Sequence, residues 1–238
     1  MRTPRLYADT ISHASGEVVL SERNHHYLAR VLRAQVGQQV SLFNGQGCTT
    51  DAVITEINKR QTIVDLRDRT EHADQRLPVT LGMALIKSDR FDWTLQKATE
   101  LGVSRITPII SERTEVKELN YERAQKIVIE ATEQSNQLNP PEVSKVIKLK
   151  DFLEKLDNGS KFLFADVNSQ NNLQKKDVEG DDLKTILIGP EGDFSPRERE
   201  SILAKANTTS FSISKNILRS DTAVISAISL VNFIHNDH

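Results

Sequence analysis

From residue 79 to the C-terminus, apolar runs of strand length alternate with segments of helical periodicity. The runs of strand length are residues 79–86, 105–110, 161–165, 183–188 and 210–213. Parallel strands need long crossover connections, usually helices, and their own side chains are apolar on both faces. The alternation therefore predicts an α/β domain with a mostly parallel sheet covered by helices on both sides.

The first 70 residues have a different pattern of short β-rich runs between turns. Asn44-Gly45-Gln46-Gly47 is a hairpin signal, and one helical segment with Tyr27, Leu28, Val31 and Leu32 on one face interrupts the strands. This pattern predicts a small β-barrel or sandwich. Because a charged stretch ending in Pro78 follows, we expect a β-rich domain at 1–70, a linker at 71–78 and the α/β domain at 79–238.

Composition excludes several classes of protein. The 238 residues contain 31 Lys+Arg and 33 Asp+Glu, a net charge of −2, so the chain is not polybasic overall, although a local basic face is compatible with this total. The single Cys48 excludes a disulfide framework and a multi-Cys zinc site. His25 and His26 are adjacent, hence about 100° apart on a helix, and no metal is expected. With no spanning run or signal peptide, we expect a cytoplasmic protein without membrane contact.

The segment Ile188-Gly189-Pro190-Glu191-Gly192-Asp193-Phe194-Ser195-Pro196-Arg197-Glu198 follows a predicted strand directly. Ser195 as N-cap, Pro196 at the first helical position and Glu198 at the third form a capping box, so a helix should begin there. Tight turns at the carboxyl ends of parallel strands are where α/β folds bind ligands. The alternative to a ligand site is a turn that only connects the strand to the helix. The sequence of the turn matches neither the dinucleotide-binding motif nor the triphosphate-binding loop.

A second loop, residues 213–223, carries Arg219 and Asp221 at the start of an apolar helix. The helix pattern at 223–234 is apolar on nearly all sides, which predicts that it is buried. Charged residues at the entrance of a buried helix favour a functional role. The alternative is that Asp221 caps the helix and Arg219 is solvated.

Motifs along almost the whole chain resemble those of the bacterial ribosomal RNA small subunit methyltransferase E family, a group of SPOUT methyltransferases. These motifs are MRTPRLY, HHYLARVLR, LFNGQG, IKSDRFDWTLQKATELGVSRITPIISERT, KIVIEATEQS, IGPEGDFSPRE and ILRSDTA. The resemblance implies a PUA-like RNA-binding β-barrel followed by a SPOUT-type α/β domain with a C-terminal trefoil knot. It also implies methylation of uridine N3 in 16S rRNA, with S-adenosylmethionine as methyl donor, the 30S subunit as partner and a homodimer as the assembly.

The resemblance places the methyl donor in three loops of the knot. The expected donor-binding residues are Leu163, Phe164, Ala165, Ile188, Gly189, Pro190, Glu191, Gly192, Ile213, Ile217, Leu218, Arg219, Thr222 and Ala223. Leu163, Phe164, Ile188, Ile217 and Leu218 would offer apolar surface to adenine, while Gly189 and Gly192 would allow close approach of the backbone.

Methylation of uracil N3 requires removal of a proton and stabilisation of the resulting negative charge. We assign charge stabilisation to Arg219, with Glu191, Asp221 and Glu133 as candidate bases. The expected RNA contacts are Arg2, Arg5, Arg30, Arg33, Lys87 and Arg90. Two alternatives stay open: a non-catalytic RNA-binding or ribosome-assembly factor that keeps this fold, and an enzyme using a nucleotide cofactor in an ordinary open sheet.

Overall fold

The structure is a computed structural model that describes residues 3–12, 16–74, 76–157, 159–180 and 182–236. The chain divides into two compact units. One unit contains Met1–Gln75 and Thr132–Pro140, and the other contains Arg76–Ala131 and Pro141–His238.

The first unit is built on a five-stranded sheet. Its strands are β1 (Arg5–Tyr7), β2 (Glu17–Val19), β3 (Gln39–Phe43), β4 (Cys48–Ile57) and β5 (Thr62–Glu71), in the order β1-β3-β4-β5-β2. β1 pairs with β3 in parallel, and the remaining neighbours are antiparallel. Alternate residues of β3, β4 and β5 point into one apolar core that includes Val40, Ala52 and Val64.

The helix of the first unit, α1 (Glu22–His26), continues into a π-helical turn over Tyr27–Val31. The amide of Leu32 donates to the carbonyl of Tyr27 at 3.0 Å, a five-residue spacing that rotates the following side chains relative to an α-helix. Leu28 is buried, but Val31 is 60% exposed and Leu32 is also exposed. The expected single helix face is therefore not formed, since Leu28 is buried and Tyr27 partly buried, whereas Val31 and Leu32 are exposed.

The segment Thr132–Pro140, which comes from the middle of the chain, is held by residues of the first unit. The amide of Tyr7 donates to Glu133 Oε1 at 2.8 Å, and Arg23 Nη2 lies 2.7 Å from Glu133 Oε2. Asn139 Nδ2 donates to Asp74 Oδ1 at 3.1 Å. This contribution to the first unit was not expected from the sequence.

The second unit is an α/β domain with a seven-stranded sheet. Its strands are β6 (Leu77–Ala84), β7 (Val103–Ile110), β8 (Glu142–Val143), β9 (Ile147–Lys148), β10 (Lys161–Ala165), β11 (Lys184–Ile188) and β12 (Thr208–Phe211). The order is β12-β10-β11-β6-β7-β8, with β9 also on β7, and every pairing is parallel. The predicted parallel α/β fold is confirmed.

Helices lie between these strands in the chain, and the last helix follows β12. They are α2 (Ser88–Glu100), α3 (Tyr121–Gln134), α4 (Leu149–Glu154), α5 (Lys175–Val178), α6 (Pro196–Leu203) and α7 (Ser220–Asn236). Helix α7 buries Val224, Ala227, Ile228 and Val231, whereas Phe233 is 70% exposed, so its burial is less complete than the apolar pattern predicts. No helix within the described ranges is both long and apolar enough to cross a bilayer.

The expected linker is shorter in the structure than its charged sequence indicates. β5 continues to Glu71, and β6 begins at Leu77, so the ends of the 71–78 range belong to strands. The charged residues up to Glu71 are exposed on β5, where Thr70 and Glu71 pair with Thr49 and Cys48 of β4. Because all five residues from Arg67 to Glu71 are exposed, this end of β5 is solvated on both faces, and the charges need not leave the sheet to reach water.

Candidate ligand site at the carboxyl edge of the parallel sheet

Three neighbouring strands of the second unit end at the same edge of the sheet. β10 lies between β11 and β12, and its last residue Ala165 is in register with Phe211. The loops that leave these strands are 166–174, 189–195 and 212–219. Because the strands are parallel and adjacent, these loops emerge side by side, in the position where α/β sheets bind ligands.

The loop after β11 is a tight turn that is held by hydrogen bonds and by side-chain packing. The amide of Asp193 donates to the carbonyl of Pro190 at 3.0 Å, and Asp193 itself has a positive φ of 59°. Arg113 Nη1 donates to the carbonyl of Gly192 at 2.7 Å. A Cβ on Gly189 would lie 3.2 Å from the Phe194 ring, so glycine permits Phe194 to pack under the turn.

The predicted capping box at the start of α6 is confirmed. Ser195 Oγ accepts from the amide of Glu198 at 3.2 Å, and Glu198 Oε2 accepts from the amide of Ser195 at 3.0 Å. Glu198 Oε1 also accepts from the amide of Glu112 at 2.8 Å. Glu198 therefore joins the turn after β11 to the loop after β7.

The loop after β12 presents both apolar and charged side chains to solvent. Ile217 is 89% exposed, Leu218 is partly exposed, and Arg219 is exposed at the residue before α7. Asp221 Oδ1 accepts from the amide of Thr222 at 2.8 Å. An exposed isoleucine beside an arginine and a carboxylate provides surface for a ligand with an apolar part and a charge.

Some of the expected ligand residues have core side chains. Phe164 packs against Phe194 with ring centroids 5.8 Å apart, and Leu163 and Ile188 belong to the main core of the second unit. The side chains of these three residues support the sheet, and of the three only Ile188 is the last residue of its strand. Ala165, Gly189 and Ile213 are partly exposed, while Pro190 is buried and Gly192 is exposed.

Asp166, the first residue after β10, is the centre of a buried network that the sequence did not single out. Its Oδ2 accepts from Arg199 Nη2 at 2.7 Å, Arg199 Nε at 3.1 Å and Ser210 Oγ at 3.1 Å. Its Oδ1 accepts from the amide of Asn168 at 2.9 Å. Burial raises the pKa of Asp166, but these donors and the charge of Arg199 outweigh it and hold the pKa below its usual value of 3.8.

The candidate bases have different surroundings. Glu191 Oε1 lies 3.3 Å from Arg90 Nη1 in the second unit. Glu133 lies in the first unit, where its carboxylate is engaged by Tyr7 and Arg23. Asp221 shares the start of α7 with Thr222, two residues after Arg219. The structure thus brings Asp221 and Arg219 into one segment and gives Glu133 contacts with a different part of the chain.

The expected RNA-contacting residues also differ. Arg5 stacks 3.9 Å above the Phe43 ring and donates to the carbonyls of Thr132 and Gln137. Arg30, Arg33 and Lys87 are exposed, and Arg33 has a positive φ of 51°. Arg2 lies outside the described residues.

Sequence reasoning did not find Asp166, Arg199 or Arg113. Asp166 follows the buried strand β10 directly, and Arg199 lies in the first turns of α6, after the turn that follows β11. Their positions after parallel strands were the only sequence signal that could have indicated a role at this edge. In the part of the chain that the structure describes, no group of three or more His, Cys, Asp or Glu side chains is placed to hold a metal ion.

Comparison with known families gives matches over most of the chain. Residues 73–232 match the family model of the RNA methyltransferase domain, and residues 20–66 match that of the RNA methyltransferase PUA domain. The second match confirms the PUA-like nature of the first unit. Together the matched regions include both units.

Relatives and solved structures agree with these family models. Ribosomal RNA small subunit methyltransferase E of Rickettsia conorii is 34% identical, over 98% of this chain and 97% of the relative. The structure of the Neisseria gonorrhoeae enzyme of that name, bound to S-adenosylmethionine, has a TM-score of 0.88 at 29% identity and covers 98% of both chains. A Legionella pneumophila methyltransferase with bound S-adenosylmethionine has a TM-score of 0.87 at 29% identity over the full length of both chains. The chain therefore belongs to the ribosomal RNA small subunit methyltransferase E family.

Proposed function

We propose that this protein transfers a methyl group from S-adenosylmethionine to N3 of a uridine in 16S rRNA of the small ribosomal subunit. One observation carries the proposal: Arg219 ends the last of three adjacent loops at the carboxyl edge of a parallel sheet, and Asp221 follows it in the first turn of α7. The family of the chain and the donor-bound relatives support the same reaction.

The residues at this edge fit S-adenosylmethionine by their chemistry. The donor has a flat apolar adenine and charged groups. This edge offers Ile217 as exposed apolar surface and the carboxylates of Glu191 and Asp221 as charged groups. When bound, S-adenosylmethionine supplies an electrophilic methyl group. The residues that we propose to hold it are Leu163, Phe164, Ala165, Ile188, Gly189, Pro190, Glu191, Gly192, Ile213, Ile217, Leu218, Arg219, Thr222 and Ala223.

We propose that Asp221 accepts the N3 proton of the target uracil and that Arg219 stabilises the negative charge that spreads onto O2 and O4. Both residues lie in the segment that starts α7, which favours their acting on one base. Glu191 and Glu133 remain candidates for proton transfer. Either would first have to release its present partners, Arg90 for Glu191 and Tyr7 with Arg23 for Glu133.

For RNA contacts we propose the exposed cations Arg30, Arg33 and Lys87, together with Arg2. Arg5 and Arg90 complete the expected set, although both already contact protein groups. The surface around Arg30 and Arg33 also exposes Val31 and Val36, so phosphates and unstacked bases would both find partners there.

We propose that the protein acts as a homodimer on the 30S subunit in the cytoplasm, with its C-terminal segment threaded as a trefoil knot. Trp93 on α2 and Phe233 on α7 are exposed large apolar side chains, which supports burial against a second copy. Light scattering on the purified protein tests the dimer: a mass of one chain across micromolar concentrations would contradict it.

Methyl transfer from labelled S-adenosylmethionine to 30S subunits and to free 16S rRNA tests the function. Because an N3 methyl group blocks Watson–Crick pairing, reverse transcription should stop next to the modified uridine. We expect label on 16S rRNA and a single new stop. Donor binding with no transfer to any RNA would contradict catalysis and favour the non-catalytic ribosome-assembly role.

A further inference from the structure

We propose that the cluster of Asp166, Arg199 and Ser210, centred on the buried Asp166 carboxylate, positions the three loops of the candidate donor site relative to one another. The effect on donor affinity rests on the proposed function, because it assumes that the three loops bind S-adenosylmethionine. The structural part of the proposal, the ordering of the loops, is measurable without any methyl donor.

The three residues of the cluster come from three different segments at the carboxyl edge. Asp166 begins the loop after β10, Ser210 is in β12 just before the 212–219 loop, and Arg199 is in the helix that follows the turn after β11. One carboxylate oxygen, Asp166 Oδ2, accepts from both Ser210 and Arg199, with distances of 2.7–3.1 Å. A single atom thus joins segments that border all three loops.

The carboxylate at the centre of the cluster is buried, while Arg199 and Ser210 are partly buried. The Asp166 side chain has no exposed surface, and its second oxygen accepts from the amide of Asn168 inside the first loop. Ser169 continues the connection, because its hydroxyl donates to the carbonyl of Ser210 at 3.0 Å. Buried ion pairs depend on complete hydrogen bonding, so removing one member disturbs its partners.

This arrangement matters for binding because a ligand held by three loops must order them, and the conformational entropy lost by the loops lowers its affinity. Loops that are already ordered lose less conformational entropy on binding. Asp166 and Arg199 are therefore positioning residues that act through the loops, and they need not touch the donor.

The test uses the full-length protein and the variants Asp166→Asn, Arg199→Met and Arg199→Lys. We expect donor affinity, measured by calorimetry, to fall on the order of tenfold in Asp166→Asn and Arg199→Met. Arg199→Lys, which retains the charge, should recover part of this loss. Hydrogen exchange without donor should be faster in residues 189–195 and 212–219 of the weakened variants.

Ser210→Ala removes only one hydrogen bond, and it serves as the milder variant if Asp166→Asn does not fold. Thr62→Val is the matched control, because it removes a buried hydrogen bond, 2.8 Å between His25 Nδ1 and Thr62 Oγ1, from the first unit. The control should lower stability while leaving loop exchange and donor affinity unchanged.

The inference is overturned if the folded Asp166 and Arg199 variants, or Ser210→Ala in their place, match the wild type in loop exchange. It is also overturned if the donor affinity of these variants falls no further than that of Thr62→Val. A wild-type protein that binds no donor would overturn the proposed function, while the exchange data would still decide the ordering role.

Discussion

The arginines of this chain differ in role because they differ in exposure and in the groups that they contact. Arg219 is exposed beside Asp221 at the start of α7, whereas Arg5 lies over the Phe43 ring and donates to two backbone carbonyls. Arg5 was expected to contact RNA, and its contacts with Phe43, Thr132 and Gln137 give it a structural role that its charge alone does not indicate. Which contacts a side chain makes depends on residues more than a hundred positions away.

Replacing Arg219 by alanine should weaken donor binding by a few fold, since Arg219 is one of the proposed donor contacts. Methyl transfer at saturating donor should fall much further, by about two orders of magnitude or more, because the charge on the uracil would lose its main stabilising cation. Calorimetry and labelled transfer measure the two effects. Arg219→Lys should recover part of the rate. Arg197→Ala, which removes an exposed arginine of α6, is the control, and unchanged transfer in Arg219→Ala would remove Arg219 from catalysis.

Arg5→Ala should lower the free energy of unfolding by about 1–3 kcal/mol, because it removes hydrogen bonds to Thr132 and Gln137 and the stacking on Phe43. Urea unfolding of the full chain measures this change. Arg30→Ala removes an exposed arginine and should change stability by less than about 0.5 kcal/mol. Equal stabilities of the two variants would show that Arg5 has no structural role.

The lowered pKa of Asp166 predicts an acid-dependent contribution to stability. A carboxyl group whose folded pKa lies below its unfolded value stabilises the protein above the unfolded pKa, and this stabilisation is lost as pH falls through the folded pKa. The stability difference between wild type and Asp166→Asn should therefore be full at about pH 6 and shrink below about pH 4. Urea unfolding at a series of pH values measures it, and a constant difference would contradict it.

At the scale of elements, the N-terminus of α6 has the structure that its local sequence predicts. Ser195, Pro196 and Glu198 form the capping box that their spacing predicts. Ser195→Ala should cost about 1 kcal/mol of unfolding free energy. Ser201→Ala in the same helix is the control, because Ser201 Oγ donates only within the helix, to the carbonyl of Arg197 at 3.0 Å. Equal thermal shifts in the two variants would contradict the capping role.

Elements with a strong local signal could be predicted, and elements set by distant contacts could not. The parallel strands followed from their apolar runs, and α6 followed from its cap. The π-helical turn at Tyr27–Val31 has no periodic signature, so Val31 and Leu32 were expected on the same helix face as Tyr27 and Leu28. In the site, the loops were predictable by position after the strands, but the Asp166 network was not, because Asp166, Arg199 and Ser210 meet only through the strand order.

At the scale of the whole molecule, a net charge of −2 has to coexist with RNA binding. We expect this binding to depend on a few exposed cations, each releasing counterions when it meets a phosphate. The double variant Arg30→Ala/Arg33→Ala should reduce the slope of log affinity against log salt by roughly 1.4–1.8, at about 0.7–0.9 per lost contact. RNA binding over about 50–200 mM salt measures it.

Arg60→Ala, an exposed arginine of the turn between β4 and β5, is the control for the salt experiment. Its slope should match that of the wild type. If the double variant also keeps the wild-type slope, Arg30 and Arg33 do not contact phosphates.

The segment Thr132–Pro140 affects how this chain can be divided into fragments or used in fusion proteins. The backbone passes between the two units three times, after residues 75, 131 and 140. A fragment ending at residue 75 would leave Tyr7 and Arg23 without Glu133. We therefore expect the PUA unit to be more stable in a gene fusion that also carries this nine-residue segment than in one that ends at residue 75.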